Sequence, residues 1–96
     1  MEEIKDLSLR NFIKVSDDVV SRDLEGEAVV LNLETGIYFG LNEVGTRIWS
    51  LIEQHGSLQK VFAIIKDEYD VPSETLENDL LRIVQELHAK GLIHVS

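Results

Sequence analysis

Three kinds of residue in this chain could carry chemistry: the histidines, the adjacent carboxylates and the glycines. None is spaced for it. His55, His88 and His94 fall at predicted helix ends and in the tail. They form no i, i+4 pair and have no accompanying carboxylate motif, so they read as surface or helix-terminal side chains rather than metal ligands. Asp17-Asp18 and Asp67-Glu68 are adjacent acidic pairs at predicted turns or helix ends, where acids serve capping and solvation. Neither has the partner arrangement of a general acid–base pair. The run Gly36-Ile37-Tyr38-Phe39-Gly40 does not match a phosphate-cradling loop, and no Gly-Lys-Ser/Thr opens a helix after it. The chain has no cysteine, which removes thiolate metal sites, cysteine nucleophiles and disulfides. The inventory points away from an enzyme and from any metal or cofactor.

Recognition is the chemistry that remains. The predicted strand Ile37 to Leu41 lies at the edge of a sheet, with Ile37, Phe39 and Leu41 on one face and Tyr38 on the other. Gly40 leaves its backbone approachable. An edge with apolar residues on both faces needs something to cover it. Either Tyr38 packs on the N-terminal arm or on a second copy of the chain, or the edge accepts a peptide as an added strand. The predicted third helix raises a similar pair of readings. Leu76, Leu80, Ile83 and Leu87 suffice to pack a core, and Leu81 and Val84 widen that stripe to one side. The wide stripe means complete burial in a small domain, or one wall of a groove opposite the edge strand.

The elements that would position these residues follow from periodicity. Val19 to Leu24 reads as a strand, Glu25-Gly26-Glu27 as a turn, and Ala28 to Leu33 as the next strand, with Val29, Leu31 and Leu33 on one face. Glu34-Thr35-Gly36 then serves as a short bulged hairpin connection to Ile37–Leu41. Tight connections make an antiparallel meander with 28–33 central. The period then switches. Asn42 caps a helix over about 43–54 that stops near Gly56, and Ser57 caps a second with Leu58, Val61, Phe62 and Ile65 as its stripe. Tyr69-Asp70-Val71-Pro72 breaks the pattern. Ser73 caps the third and longest helix, Gly91 ends it, and Leu92-Ile93 fold back on its last turn. Before the sheet, residues 1–17 are polar with scattered apolar positions and read as a loosely ordered arm, within which Asn11–Val15 could extend over the sheet. Three strands followed by three helices make a single α+β domain.

Order and motif together resemble a known family. The run Leu33-Glu34-Thr35-Gly36-Ile37-Tyr38-Phe39-Gly40-Leu41-Asn42, followed by Val44-Gly45 and Ile48-Trp49, is similar to the PqqD-like RiPP recognition elements. These small domains bind the leader segment of a ribosomally made precursor peptide. The Thr-Gly-x-Tyr-x-x-Leu-Asn arrangement is most like the free-standing members of lasso-peptide pathways, and the similarity covers roughly residues 18 to 95. The resemblance implies a winged-helix-like arrangement and no cofactor. It also implies a leader bound between the third strand and the third helix, at Ile37, Tyr38, Phe39, Gly40, Leu41, Leu81 and Val84. At 96 residues, the chain is expected to hand its precursor to a separate leader peptidase or modifying enzyme.

Composition sets the remaining bounds. Hydrophobic residues make up 44% of the chain, ordinary for a folded globular domain. No apolar run approaches a membrane span, and the opening Met1-Glu2-Glu3 is acidic where a secretory signal is basic. A cytoplasmic location is the expectation. Eighteen acids against nine bases leave a formal charge of −9. That charge repels nucleic acid and anionic membrane, whereas phosphate binders gain affinity by releasing counterions. The rival reading, a winged-helix DNA-binding regulator, meets a further obstacle in the third helix. Between Ser73 and Lys90 that helix has two bases, Arg82 and Lys90, against four acids, Glu74, Glu77, Asp79 and Glu86. An exposed edge strand also invites a homodimer.

Overall fold

The computed structural model describes residues 4–96, so the acidic opening Met1-Glu2-Glu3 lies outside the described residues. In order, the elements are β1 (Ile13–Val15), β2 (Val19–Leu24), β3 (Glu27–Asn32), β4 (Tyr38–Gly40), α1 (Glu43–His55), α2 (Leu58–Glu68), α3 (Ser73–Ala89) and β5 (Ile93–Val95). β2, β3 and β4 form the expected antiparallel meander with β3 in the centre. Glu25 and Gly26 connect β2 to β3, both at positive φ (57° and 88°), the conformation whose twist matches that of the flanking strands. The next connection is longer than a tight hairpin. β3 ends at Asn32, and five residues, 33–37, intervene before β4. The reason is the Asn32 side chain, whose Oδ1 accepts from the N–H groups of Glu34 (2.9 Å) and Thr35 (3.2 Å) and turns the chain out of the ladder.

Alternation along β3 is as the sequence implies, but the helices cover the other set of residues. Ala28, Val30 and Asn32 are buried, while Val29 and Leu31 are half-buried on the outer face and Leu33 is exposed. Val30 pairs with Phe39, so the face of β4 that carries Phe39 is the face toward the helices.

The helices cap much as their sequences suggest. Asn42 accepts from the Gly45 N–H and Ser57 from the Lys60 N–H. At α3 the expectation shifts by one residue. Pro72 occupies the cap position without a side-chain bond, and Ser73 is already helical. Proline's fixed φ of −61° starts the helix there, and its carbonyl accepts from Leu76. Gly91 (φ 72°) ends α3: its N–H donates to the His88 carbonyl and the Leu92 N–H to that of Leu87. This paired arrangement satisfies two orphan carbonyls and presses Leu92 onto Leu87, both fully buried.

The N-terminal arm departs most from expectation. From Ile4 onward it is tied down, and its strand does not lie over the meander. β1 instead pairs antiparallel with β5, Lys14 opposite His94, as a second, two-stranded sheet. Gln85 of α3 holds Ile4 by both backbone groups (3.0 and 2.8 Å). Period-2 signals over three-residue strands are too short to reveal a pairing between chain ends. The core is one cluster in which Val30, Ile48, Trp49, Leu58, Leu80 and Leu92 are all buried.

Candidate functional site

β4 is three residues long and pairs with β3 on one side only. Its hydrogen-bond parity follows from the bonds that flank it. The Leu41 N–H donates to the Ala28 carbonyl (2.8 Å) and the Asn32 N–H to the Ile37 carbonyl (2.9 Å). Bonded and non-bonded pairs alternate along an antiparallel ladder, so Ile37, Phe39 and Leu41 direct their backbone groups toward β3. Tyr38 and Gly40 direct theirs outward. The outer edge thus offers an N–H and a C=O at each of two alternate residues, the pattern that an added strand requires.

α3 stands beside that edge, running antiparallel to β4. Lys90 near its end places Nζ 5.4 Å from the centre of the Phe39 ring, a cation–π contact. Earlier in the helix, Arg82, Ile83 and Glu86 face Phe39, Gly40, Leu41 and Asn42 across a hollow of about 270 Å³. The hollow continues past Asn42, Arg82 and Ile83 into a second of about 250 Å³, whose walls include Val44, Ile48, Tyr69 and Val71. A long groove therefore runs from Phe39, along the open edge, to the junction of the three helices. Phe39, Leu41 and Ile83 supply apolar side chains beside β4, the far hollow is mainly apolar, and the α3 rim is charged.

The hairpin end of the sheet is tied to the end of α3. Asn32 Nδ2 donates to the Gly91 carbonyl (2.9 Å), which also accepts from Ser16 Oγ (3.1 Å). Asn32 is buried, and its side chain donates one hydrogen bond and accepts two, which offsets much of the cost of burying it. One side chain thus ties the β3–β4 connection to the end of α3.

The expected site residues divide. Tyr38 is 69% exposed and shares the outer face of the sheet with Leu31. It does not pack on the described part of the arm, which runs to α3 and β5 instead. Ile37 is exposed, Phe39 half-buried over the helices, and Gly40 open on its outer side. Leu41 is buried and lines the hollow. The two α3 residues are placed elsewhere. Val84 is 0% exposed and belongs to the core, so it lines no groove. Leu81 is half-buried and is not among the residues facing β4; Gln85, one turn on, holds the arm at Ile4. The apolar stripe of α3 widens in sequence toward Leu81 and Val84, whereas the flank nearest β4 is that of Arg82, Ile83 and Glu86. Apolar width showed how deeply α3 is buried. The open flank was written in charge, in the spacing of Arg82, Glu86 and Lys90.

Away from the groove, Arg47 of α1 and Glu68 of α2 form a two-pronged ion pair, with Arg47 Nε 2.9 Å from Glu68 Oε1. The hydrogen bond from Arg47 holds the Glu68 carboxyl below its usual range, and the bond to Glu68 raises Arg47 in turn. Among the described residues, no group of three or more histidine, cysteine or carboxylate side chains could hold a metal ion. No helix among them is long and apolar enough to cross a membrane.

Two comparisons with known proteins match this chain. The family model described as coenzyme PQQ synthesis protein D (PqqD) matches residues 27–93, the span from β3 to the start of β5. A solved structure of TbiB1 in complex with the TbiA(beta) leader peptide is similar at 43% sequence identity and a TM-score of 0.80. That likeness covers 84% of this chain and 94% of the other. Among curated proteins, none matches.

Proposed function

The chain belongs to the PqqD family, and on that premise we propose that it is a RiPP recognition element. It binds the leader segment of a ribosomally made precursor in the groove between β4 and α3 and presents the precursor to a separate leader peptidase or modifying enzyme. The observation that carries this reading is the open edge: outward backbone groups at Tyr38 and Gly40, facing a hollow beside α3. Main-chain bonds to that edge supply register, and the apolar side chains of Phe39, Leu41 and Ile83 supply side-chain pockets. The likeness to TbiB1, whose structure holds a leader peptide, supports leader binding as the role. The resemblance to free-standing lasso-pathway members makes a lasso precursor the first substrate to try. Catalysis lies with the partner enzyme and needs no cofactor here. A cytoplasmic setting suits a chain without cysteine. A homodimer through β4 would occupy the edge that the leader needs, so pairing of copies and leader binding compete. Nothing favours the alternative of a DNA-binding regulator, and the acids on α3 oppose it.

The test is a pair of proline substitutions read by calorimetric titration with the TbiA(beta) leader peptide and by circular dichroism. Proline lacks the N–H donor, and Tyr38 directs its N–H outward. Tyr38→Pro is expected to fold and to lose binding. Phe39→Pro removes a bond to β3 and is expected to damage the fold itself. A folded Tyr38→Pro protein that binds as wild type does would show that no strand is added at this edge.

A further inference from the structure

The flank of α3 that faces the open edge carries charges of alternating sign about one helical turn apart: Asp79, Arg82, Glu86 and Lys90. Arg82 and Glu86 both line the hollow beside Phe39, Gly40 and Leu41. Ion pairing within the helix leaves this row incomplete. Arg82 reaches back to Asp79 (3.6 Å), and Lys90 lies over the Phe39 ring. Glu86 is four residues from each of the two cations, the spacing at which helical ion pairs close. It is nevertheless in no ion pair among the described residues. Its carboxylate is available to whatever occupies the groove.

The spacing matches an extended peptide. Four residues of helix advance about 6 Å, and alternate residues of a strand, which share a face, lie about 6.6 Å apart. Consecutive helix-facing side chains of a strand laid along β4 therefore come opposite Arg82 and then Glu86. We propose that the groove reads charge order: the bound segment carries an acidic residue against Arg82 and a basic residue against Glu86, two positions apart. This rests on the peptide-binding reading of the groove and adds the chemical class of the segment bound. The overall charge of −9 attracts any basic peptide, but it treats an acid-x-base segment and its base-x-acid isomer alike. Only local charges distinguish the two. Which order wins reports the direction of the added strand, because α3 and β4 run oppositely.

The experiment uses isomeric peptides built on the TbiA(beta) leader. Each pair of positions i and i+2 in turn carries Glu and Lys, in both orders, and binding to the full chain is read by competition anisotropy. In one register, wild type should prefer one order over its isomer by about five- to twentyfold, the sum of two partly exposed charge contacts. The double variant R82E/E86R should reverse that preference. Glu86→Gln alone, which conserves the side-chain shape, should reduce it, and this variant serves if the double exchange does not fold by circular dichroism. Peptides that bind with no order preference in any register overturn this proposal while leaving the groove reading intact. A preference that persists unchanged in R82E/E86R, or in Glu86→Gln, also overturns it. If no peptide of the set binds, or Tyr38→Pro binds them as wild type does, the groove reading itself falls and this proposal with it.

Discussion

The meander has two free edges, and they are built differently. β2 is six residues long, five of them exposed, and it packs chiefly against β3. The bond from the Leu33 N–H to the Asp18 carbonyl sets its parity, which turns Val19, Ser21 and Asp23 outward, with the Val19 N–H already bonded to the Ser16 carbonyl (3.2 Å). That edge is longer than β4 and, by backbone count, the better template for an added strand. Its side chains make it a poor one. Arg22, Asp23 and Glu25 surround it, and Asp23 points to the same face as buried Ala28, an inward charge of the kind that blocks edge-to-edge pairing. β4 is short and uncharged from Ile37 to Leu41, but it stands against the wall of α3. The difference teaches that an edge becomes a binding site through what lies beside it. On the proposed reading, free backbone groups are necessary and the neighbouring helix supplies the pockets.

The largest effect should separate the two edges. Ser21→Pro removes an outward donor from β2 as Tyr38→Pro does from β4, and both substitutions spare the β3 ladder. Titration with the TbiA(beta) leader should show binding retained within about twofold for Ser21→Pro and weakened more than about a hundredfold for Tyr38→Pro. Equal losses at the two edges would erase the distinction. A smaller effect is expected at the side chain of Tyr38. It is 69% exposed, so Tyr38→Ala should change stability by no more than about 0.5 kcal/mol in urea melts. Leader affinity should fall about tenfold, as for an aromatic contact at an interface. A loss of about 3–5 kcal/mol in stability would instead assign Tyr38 to a core.

The smallest effect lies far from both edges. Arg47 holds the Glu68 carboxyl below its ordinary value of 4.5, so the pair stabilises the fold above that value. The contribution is lost as pH falls through the lowered value in the folded state. Glu68→Gln should therefore lower the urea midpoint slightly at pH 7 and leave it unchanged well below pH 4.5. Leader binding should not respond. A Glu68→Gln variant with the same midpoint at both pH values would show that this exposed pair contributes nothing.

Much of this was legible in the chain before folding. Period-2 alternation from Val19 to Leu41 and its switch to helical spacing after Asn42 located the meander and the helices to within a residue or two. Asn42, Ser57 and Gly91 marked the helix ends by bonds a side chain or a positive φ can make locally. The motif around Tyr38 pointed to the edge that stands open. Tertiary structure alone decided the rest, because the deciding contacts join residues remote in sequence. β1 found β5 across the length of the chain, and Asn32 found Gly91. No local pattern announces such pairings. The wall of the groove shows the same limit. A helix's apolar stripe shows which side is buried, and Val84 is accordingly in the core. Which polar flank then faces β4 depends on how α3 is rotated against the sheet. That rotation brings Arg82, Ile83 and Glu86 to the open edge and turns Leu81 from it, and packing of the whole core sets it.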